Sequence, residues 1–142
     1  MNASRSRPSV LEVSSPSGER VARAPVASAA WPRLRGLIGR RLAEGSGLFF
    51  PACSSVHTHF MSYPIDLVYL SGDDVIVKVV HALRPWRWSW GGRRAKHVLE
   101  LPAGTAARLA LQRGDALAMR GPEPATEAAA AEPAPVAAGH QP

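Results

Sequence analysis

Cysteine is almost absent. The single residue, Cys53, cannot form a disulfide within the chain and has no partner for a Cys-x2-Cys zinc half-site. Long apolar runs are absent as well. No stretch approaches the roughly 18–20 residues that span a bilayer as a helix. The arginines of the segment Met1-Asn2-Ala3-Ser4-Arg5-Ser6-Arg7-Pro8 are not followed by the apolar core of a secretory signal, so a cytoplasmic location is expected. Acidic residues are outnumbered, 11 against 17 Lys plus Arg, for a formal charge of +6. That balance suits a polyanionic partner, nucleic acid or an anionic membrane surface. It equally suits an arginine-rich composition that simply keeps the chain soluble. There is no internal repeat, no Gly-x-Ser-x-Gly elbow and no glycine-rich phosphate loop, so two common routes to hydrolysis and nucleotide binding are missing.

What is present is concentrated between Ser55 and Leu70. From Val56 to Met61 the side chains alternate in type. As a strand, this places Val56, Thr58 and Phe60 on one face and His57, His59 and Met61 on the other. Pro64 breaks the ladder. Ile65-Asp66-Leu67-Val68-Tyr69-Leu70 is apolar on both faces apart from Asp66, the pattern of a strand covered on both sides. Ser71-Gly72-Asp73-Asp74 is a turn, and Val75 to Val80 returns as the second arm of a hairpin.

Around this hairpin, Val10–Val13 and Arg20–Ala24 form an expected first hairpin across Pro16-Ser17-Gly18. Trp31, Leu34, Leu37 or Ile38, and Leu42 recur at helical spacing, which predicts a helix from about Ala30 to Leu42 with Ser28 as its cap. Leu48–Phe50, Ala95–Leu101 and Ala116–Met119 read as strands. Thr105 is placed as the cap of a short helix ending near Leu109, and Gly114 supplies a positive φ for a tight turn. The domain limits follow: residues 1–9 disordered, 10–120 one compact domain, and 121–142 a disordered tail of Ala, Pro, Glu, Gly and Thr without period or aromatics.

Four blocks then occur in an informative order: Arg33-Leu34-Arg35-Gly36-Leu37-Ile38-Gly39-Arg40; Val56-His57-Thr58, Phe60-Met61 and Pro64-Ile65-Asp66-Leu67-Val68; Leu83-Arg84-Pro85-Trp86-Arg87; and Val98-Leu99-Glu100-Leu101-Pro102-Ala103-Gly104-Thr105 leading to Gly114-Asp115. Over roughly residues 28–120 the chain resembles a widespread family known only as domain of unknown function 192. The resemblance implies a small β-rich domain with one or two short helices, and no activity. Two positions depart from the family pattern: His59 stands where an aromatic residue is common, and Ala110 where a glycine often precedes the last loop. The expected fold is α+β, a small curved mainly antiparallel sheet or partial β-barrel with one longer and one short helix.

Four groups of residues are candidates for chemistry. His57 and His59 lie two apart and could share a metal, with Cys53, Asp66, His81 or His97 as further ligands, although a zinc site needs three or four converging donors. Otherwise they are surface or hydrogen-bonded core histidines. Cys53 with His57 could form a nucleophile–base pair only if residues 52–55 fold back, since a base must come within about 3 Å of the thiolate. Asp66, with Arg35 as a partner, is either a catalytic carboxylate or a structural acid that accepts backbone N–H bonds. Finally, Trp86, Trp88 and Trp90 alternate within the arginines Arg84, Arg87, Arg93 and Arg94. An extended segment puts the three rings on one face, where they form a stacking platform for single-stranded nucleic acid, a membrane interface or a protein hot spot; Trp86, inside a family-like block, is expected to be partly buried. The leading expectation is a non-enzymatic binding module for an anionic ligand, with no cofactor. The alternative is a metal-dependent or other small-molecule enzyme built on His57, His59 and Asp66.

Overall fold

The computed structural model describes residues 8–27, 41–59 and 61–121. Nine strands and one short helix make up the regular structure of these residues. Strands β1 (Val10–Ser14) and β2 (Arg20–Pro25) form the expected first hairpin, and β9 (Ala118–Arg120) adds to β1 from the far end of the chain, giving the order β2-β1-β9. The central sheet has the order β3-β8-β5-β6, built from β3 (Leu48–Phe50), β8 (His97–Pro102), β5 (Ile65–Leu70) and β6 (Ile76–Leu83). A separate two-stranded ribbon pairs β4 (Ser55–His57) with β7 (Trp88–Trp90). The helix α1 spans Thr105–Arg108. All strand pairings within the sheets are antiparallel.

Strand β5 is buried at every position, as its doubly apolar sequence requires, and it separates two cores. Val68 and Leu70 face a cluster that includes Leu11, Val13, Phe49, Leu99 and Leu109, filled from the β2-β1-β9 sheet and α1. Ile65, Leu67 and Tyr69 face a second cluster with Val56, Met61, Tyr63 and Val98, closed by the ribbon. Each fully buried large apolar side chain contributes about 1.5–3 kcal/mol. The central sheet is thus sandwiched between a three-stranded sheet and a two-stranded ribbon.

Several expectations are corrected. The architecture is β-rich with separate sheets, none of them closed into a barrel among the described residues, and the helical content there is the four residues of α1. The predicted Ala30–Leu42 helix falls mostly on residues 28–40, outside the described residues, together with Arg35; Arg41 and Leu42 are described and are not helical. Nor is the 55–61 segment one strand. It leaves the ladder after His57, and Met61 turns into the core at 6% exposure instead of lying beside the histidines. Residues 122–142 of the predicted 121–142 tail, and residues 1–7, also lie outside the described residues. No helix among the described residues is long and apolar enough to cross a membrane.

Thr105 is not the cap of α1. Gly104 takes that position with φ 92°, and it provides no side-chain capping bond. The missing acceptor comes from the central sheet. Asp66 Oδ2 accepts the Ala106 N–H at 2.9 Å, and Asp66 Oδ1 accepts the Ala82 N–H at 2.8 Å. Opposite Asp66 the register of β5 and β6 slips, from Ile65↔Leu83 to Leu67↔Val80. Two residues of β6 therefore face one of β5, a β-bulge that leaves an amide off the ladder. One carboxylate supplies both the bulge and the helix N-terminus, where a negative charge is also favoured by the helix dipole.

Candidate functional site: an aromatic and cationic ribbon

The β4–β7 ribbon has an inner and an outer face because side chains alternate along a strand. Val56 and Ser89 form the inner pair and are buried; His57 and Trp88 form an outer pair and are exposed. The register also sets Trp90 opposite Ser55. Trp86, Trp88 and Trp90 are 56%, 58% and 47% exposed, and they are the exposed large hydrophobic residues of the described chain.

Trp86 differs from both expectations made for it. It is exposed, and it is not on the strand. It lies in the turn before β7 with φ 60°, a left-handed conformation that is rare for a bulky residue. The turn is held by Thr58, which is fully buried. Thr58 Oγ1 lies 2.7 Å from the Arg84 carbonyl and 3.1 Å from the Arg87 carbonyl, and it accepts the Arg87 N–H at 2.9 Å. Its own N–H donates to the Arg87 carbonyl at 2.8 Å, and its carbonyl accepts from Trp86 N–H at 3.0 Å. Sequence reasoning missed this clamp. Its one signal was the inward parity of Thr58 between two polar, outward histidines.

Because Thr58 is anchored inward, both neighbours point out. The rings of His57 and His59 are 5.4 Å apart, with His59 edge-on to Trp86 at 5.6 Å and His57 tilted against Trp88 at 6.4 Å. Trp86, His59, His57 and Trp88 therefore form one continuous row of rings. On the other side, Trp88 and Trp90 border an open groove of about 620 Å³ whose opposite wall is β6, including Lys78, Val80 and His81. Lys78 Nζ donates across it to the Trp90 carbonyl at 2.8 Å. Arg84 and Arg87 precede β7 and Arg93 and Arg94 follow it, all four exposed, so the arginines bracket the two strand tryptophans.

The ribbon is docked by Tyr69. Its hydroxyl donates to the Ser89 carbonyl at 3.1 Å, and its ring lies where a Cβ on Gly91 would approach to 2.3 Å. Only glycine fits there. Burial pushes the Tyr69 phenol above its ordinary value of 10.0, with Cys53 and Glu100 adding to the rise and a hydrogen bond with the Ser89 side chain, rather than its carbonyl, opposing it. Burial likewise raises Tyr63, with the Glu100 charge adding and Arg41 opposing.

The remaining candidates do not converge. Asp66 is fully buried, and both of its oxygens serve backbone amides, away from the outward histidines. The Cys53 thiol donates to the Ser55 carbonyl at 3.1 Å, while His57 projects from the outer face of β4. His97 Nδ1 accepts the Ala52 N–H at 3.1 Å and its ring packs on Phe49. Among the described residues no group of three or more His, Cys, Asp or Glu side chains is arranged to hold a metal ion.

Fold and ribbon together define a small β-rich domain with an exposed aromatic, cationic edge. The chain belongs to the domain-of-unknown-function 192 family, described as an uncharacterized ACR, whose model matches residues 12–119. It is 36% identical over 64 residues to a UPF0127 protein of Pyrococcus furiosus, covering 45% of this chain and 54% of the relative. A UPF0127 protein of Pyrococcus abyssi is 36% identical over 62 residues, covering 44% and 52%. The chain thus spans about half the length of these curated relatives. Two solved structures share the fold. One is a protein of unknown function from Novosphingobium aromaticivorans, with TM-score 0.66, 23% identity and coverage of 77% of this chain and 83% of that one. The other, from Sinorhizobium meliloti, carries a provisional assignment as a transcription regulator, with TM-score 0.68, 24% identity and coverage of 81% and 97%.

Proposed function

We propose that the domain is a non-enzymatic binding module for an anionic ligand, engaged on the ribbon. The observation that carries this reading is the exposure of Trp86, Trp88 and Trp90 on one small element. Large exposed apolar side chains are costly to solvate, and their clustering marks interaction surfaces. Here they are bracketed by Arg84, Arg87, Arg93 and Arg94 and stand across a groove from Lys78. Flat rings stack on any base while cations neutralise phosphates, so single-stranded nucleic acid fits the combination. The enzyme alternative is weakened by Asp66, whose carboxylate is committed to Ala82 and Ala106.

The test is a fluorescence titration with single-stranded oligonucleotides at two salt concentrations. Affinity is expected to fall as salt rises, because counterions are released on binding. The double variant Trp88→Ala, Trp90→Ala is expected to lose binding, at about 1–3 kcal/mol per stacked base, while its melting temperature stays unchanged. Binding retained by that variant refutes the ribbon as the site.

A further inference from the structure

We infer that His57 and His59 form a two-imidazole site for a divalent transition metal, copper(II) above all, on the outer face of the ribbon. The inference rests on the spacing of the two imidazoles, on the same ribbon as the anion reading. A metal held about 2.0–2.1 Å from one nitrogen of each ring sets imidazole centroids roughly 4.5–5.5 Å apart when the ligand angle is 90–120°. The two rings already lie at 5.4 Å, tilted by 36°. Three features hold them there. Thr58 between them is fully buried and bonded through its N–H, carbonyl and hydroxyl to residues 84–87. Trp86 meets His59 at an interplanar angle of 84°, and Trp88 flanks His57. The pair is thus pre-organised at its base, which lowers the entropic cost of capturing an ion.

The donor set selects the metal. With no third His, Cys, Asp or Glu grouped with them among the described residues, the pair does not make the closed four-ligand shell of a structural zinc site. Copper(II) heads the affinity order for a given nitrogen site and accepts tetragonal coordination by nitrogen and oxygen. Both histidines are exposed, so water completes the shell and those positions stay open to exchange. Asp66, buried and committed elsewhere, takes no part.

Trp86 and Trp88 provide a built-in reporter, since a paramagnetic copper ion within a few ångströms quenches indole emission. The experiment titrates the full chain with copper(II), and separately with zinc(II), following tryptophan emission and the electron paramagnetic resonance of the bound copper. The expected result is saturable quenching at one equivalent of copper, a spectrum with nitrogen ligation, and weaker binding of zinc. His57→Ala and His59→Ala are each expected to lose the stoichiometric quench while melting like the parent. His81→Ala, on the far wall of the groove, is expected to keep it. Undiminished one-equivalent quenching in His57→Ala, His59→Ala and the double variant would overturn the site, as would the absence of any saturable copper binding. Oligonucleotide affinity of the same variants is measured in parallel without added metal. Loss there bears on the anion reading, whereas loss of copper binding alone bears on this one.

Discussion

Asp66 shows how much a single buried residue can organise. Its carboxylate bonds two amides distant in sequence, one on a bulged strand and one at a helix N-terminus. The burial cost of the charge is offset by these two charge-assisted hydrogen bonds. Asp66→Asn keeps one acceptor oxygen but turns an NH2 group toward a backbone N–H. Stability is expected to fall by about 1–3 kcal/mol, seen as a melting temperature lower by several degrees. A variant that melts like the parent would remove the structural role. The acid was legible in the sequence as an anomaly within an apolar strand; which amides it accepts, those of Ala82 and Ala106, was not.

At the scale of elements, α1 illustrates a short helix defined by its ends more than by its propensity. Its C-terminus is a Schellman motif. Leu111 N–H donates to the Ala106 carbonyl at 2.9 Å and Ala110 N–H to the Ala107 carbonyl at 3.1 Å, with Leu111 buried. Such a motif needs a left-handed residue, and Ala110 has φ 50°. Glycine fills such a position without strain and is the residue that the family resemblance leads one to expect there. The left-handed conformation costs an L-residue about 1–2 kcal/mol, partly offset by the greater chain entropy that glycine loses, about 0.5–1 kcal/mol relative to alanine. Ala110→Gly is therefore expected to stabilise the domain by about 0.5–1 kcal/mol, measured by urea denaturation. A lower midpoint would show that the alanine methyl makes compensating contacts.

Across the whole molecule, the ribbon is joined to the sandwich through Tyr69, and this gives stability an alkaline edge. The folded phenol has a raised pKa, so the folded state holds its proton more tightly than the unfolded chain does. The corresponding stability is fully present below the unfolded value near 10 and is lost as pH rises through the folded value. Tyr69→Phe is expected to cost about 1 kcal/mol at neutral pH, through the hydrogen bond to Ser89, and to flatten the decline above pH 10. Denaturant midpoints of the two proteins between pH 7 and 11 provide the comparison; parallel curves would mean that Tyr69 does not set the alkaline limit.

The sequence by itself determined the local features: both hairpins, the doubly buried strand at 65–70, the turn at 71–74, the positive φ at Gly114 and membership of the family. Each is written in periodicity, turn chemistry or residue order over a few neighbouring positions. Tertiary structure decided what depends on residues far apart. It placed Asp66 against partners 16 and 40 positions away, and it used Thr58 to hold a turn 26 to 29 positions on. It also ended β4 at His57 and brought Trp86 out of the core to lie against His59. Alternation can predict which way a side chain points while a strand lasts. It cannot say where the strand stops or which loop will come to lie against it, because those depend on backbone groups that find their hydrogen-bond partners only when the sheets pack.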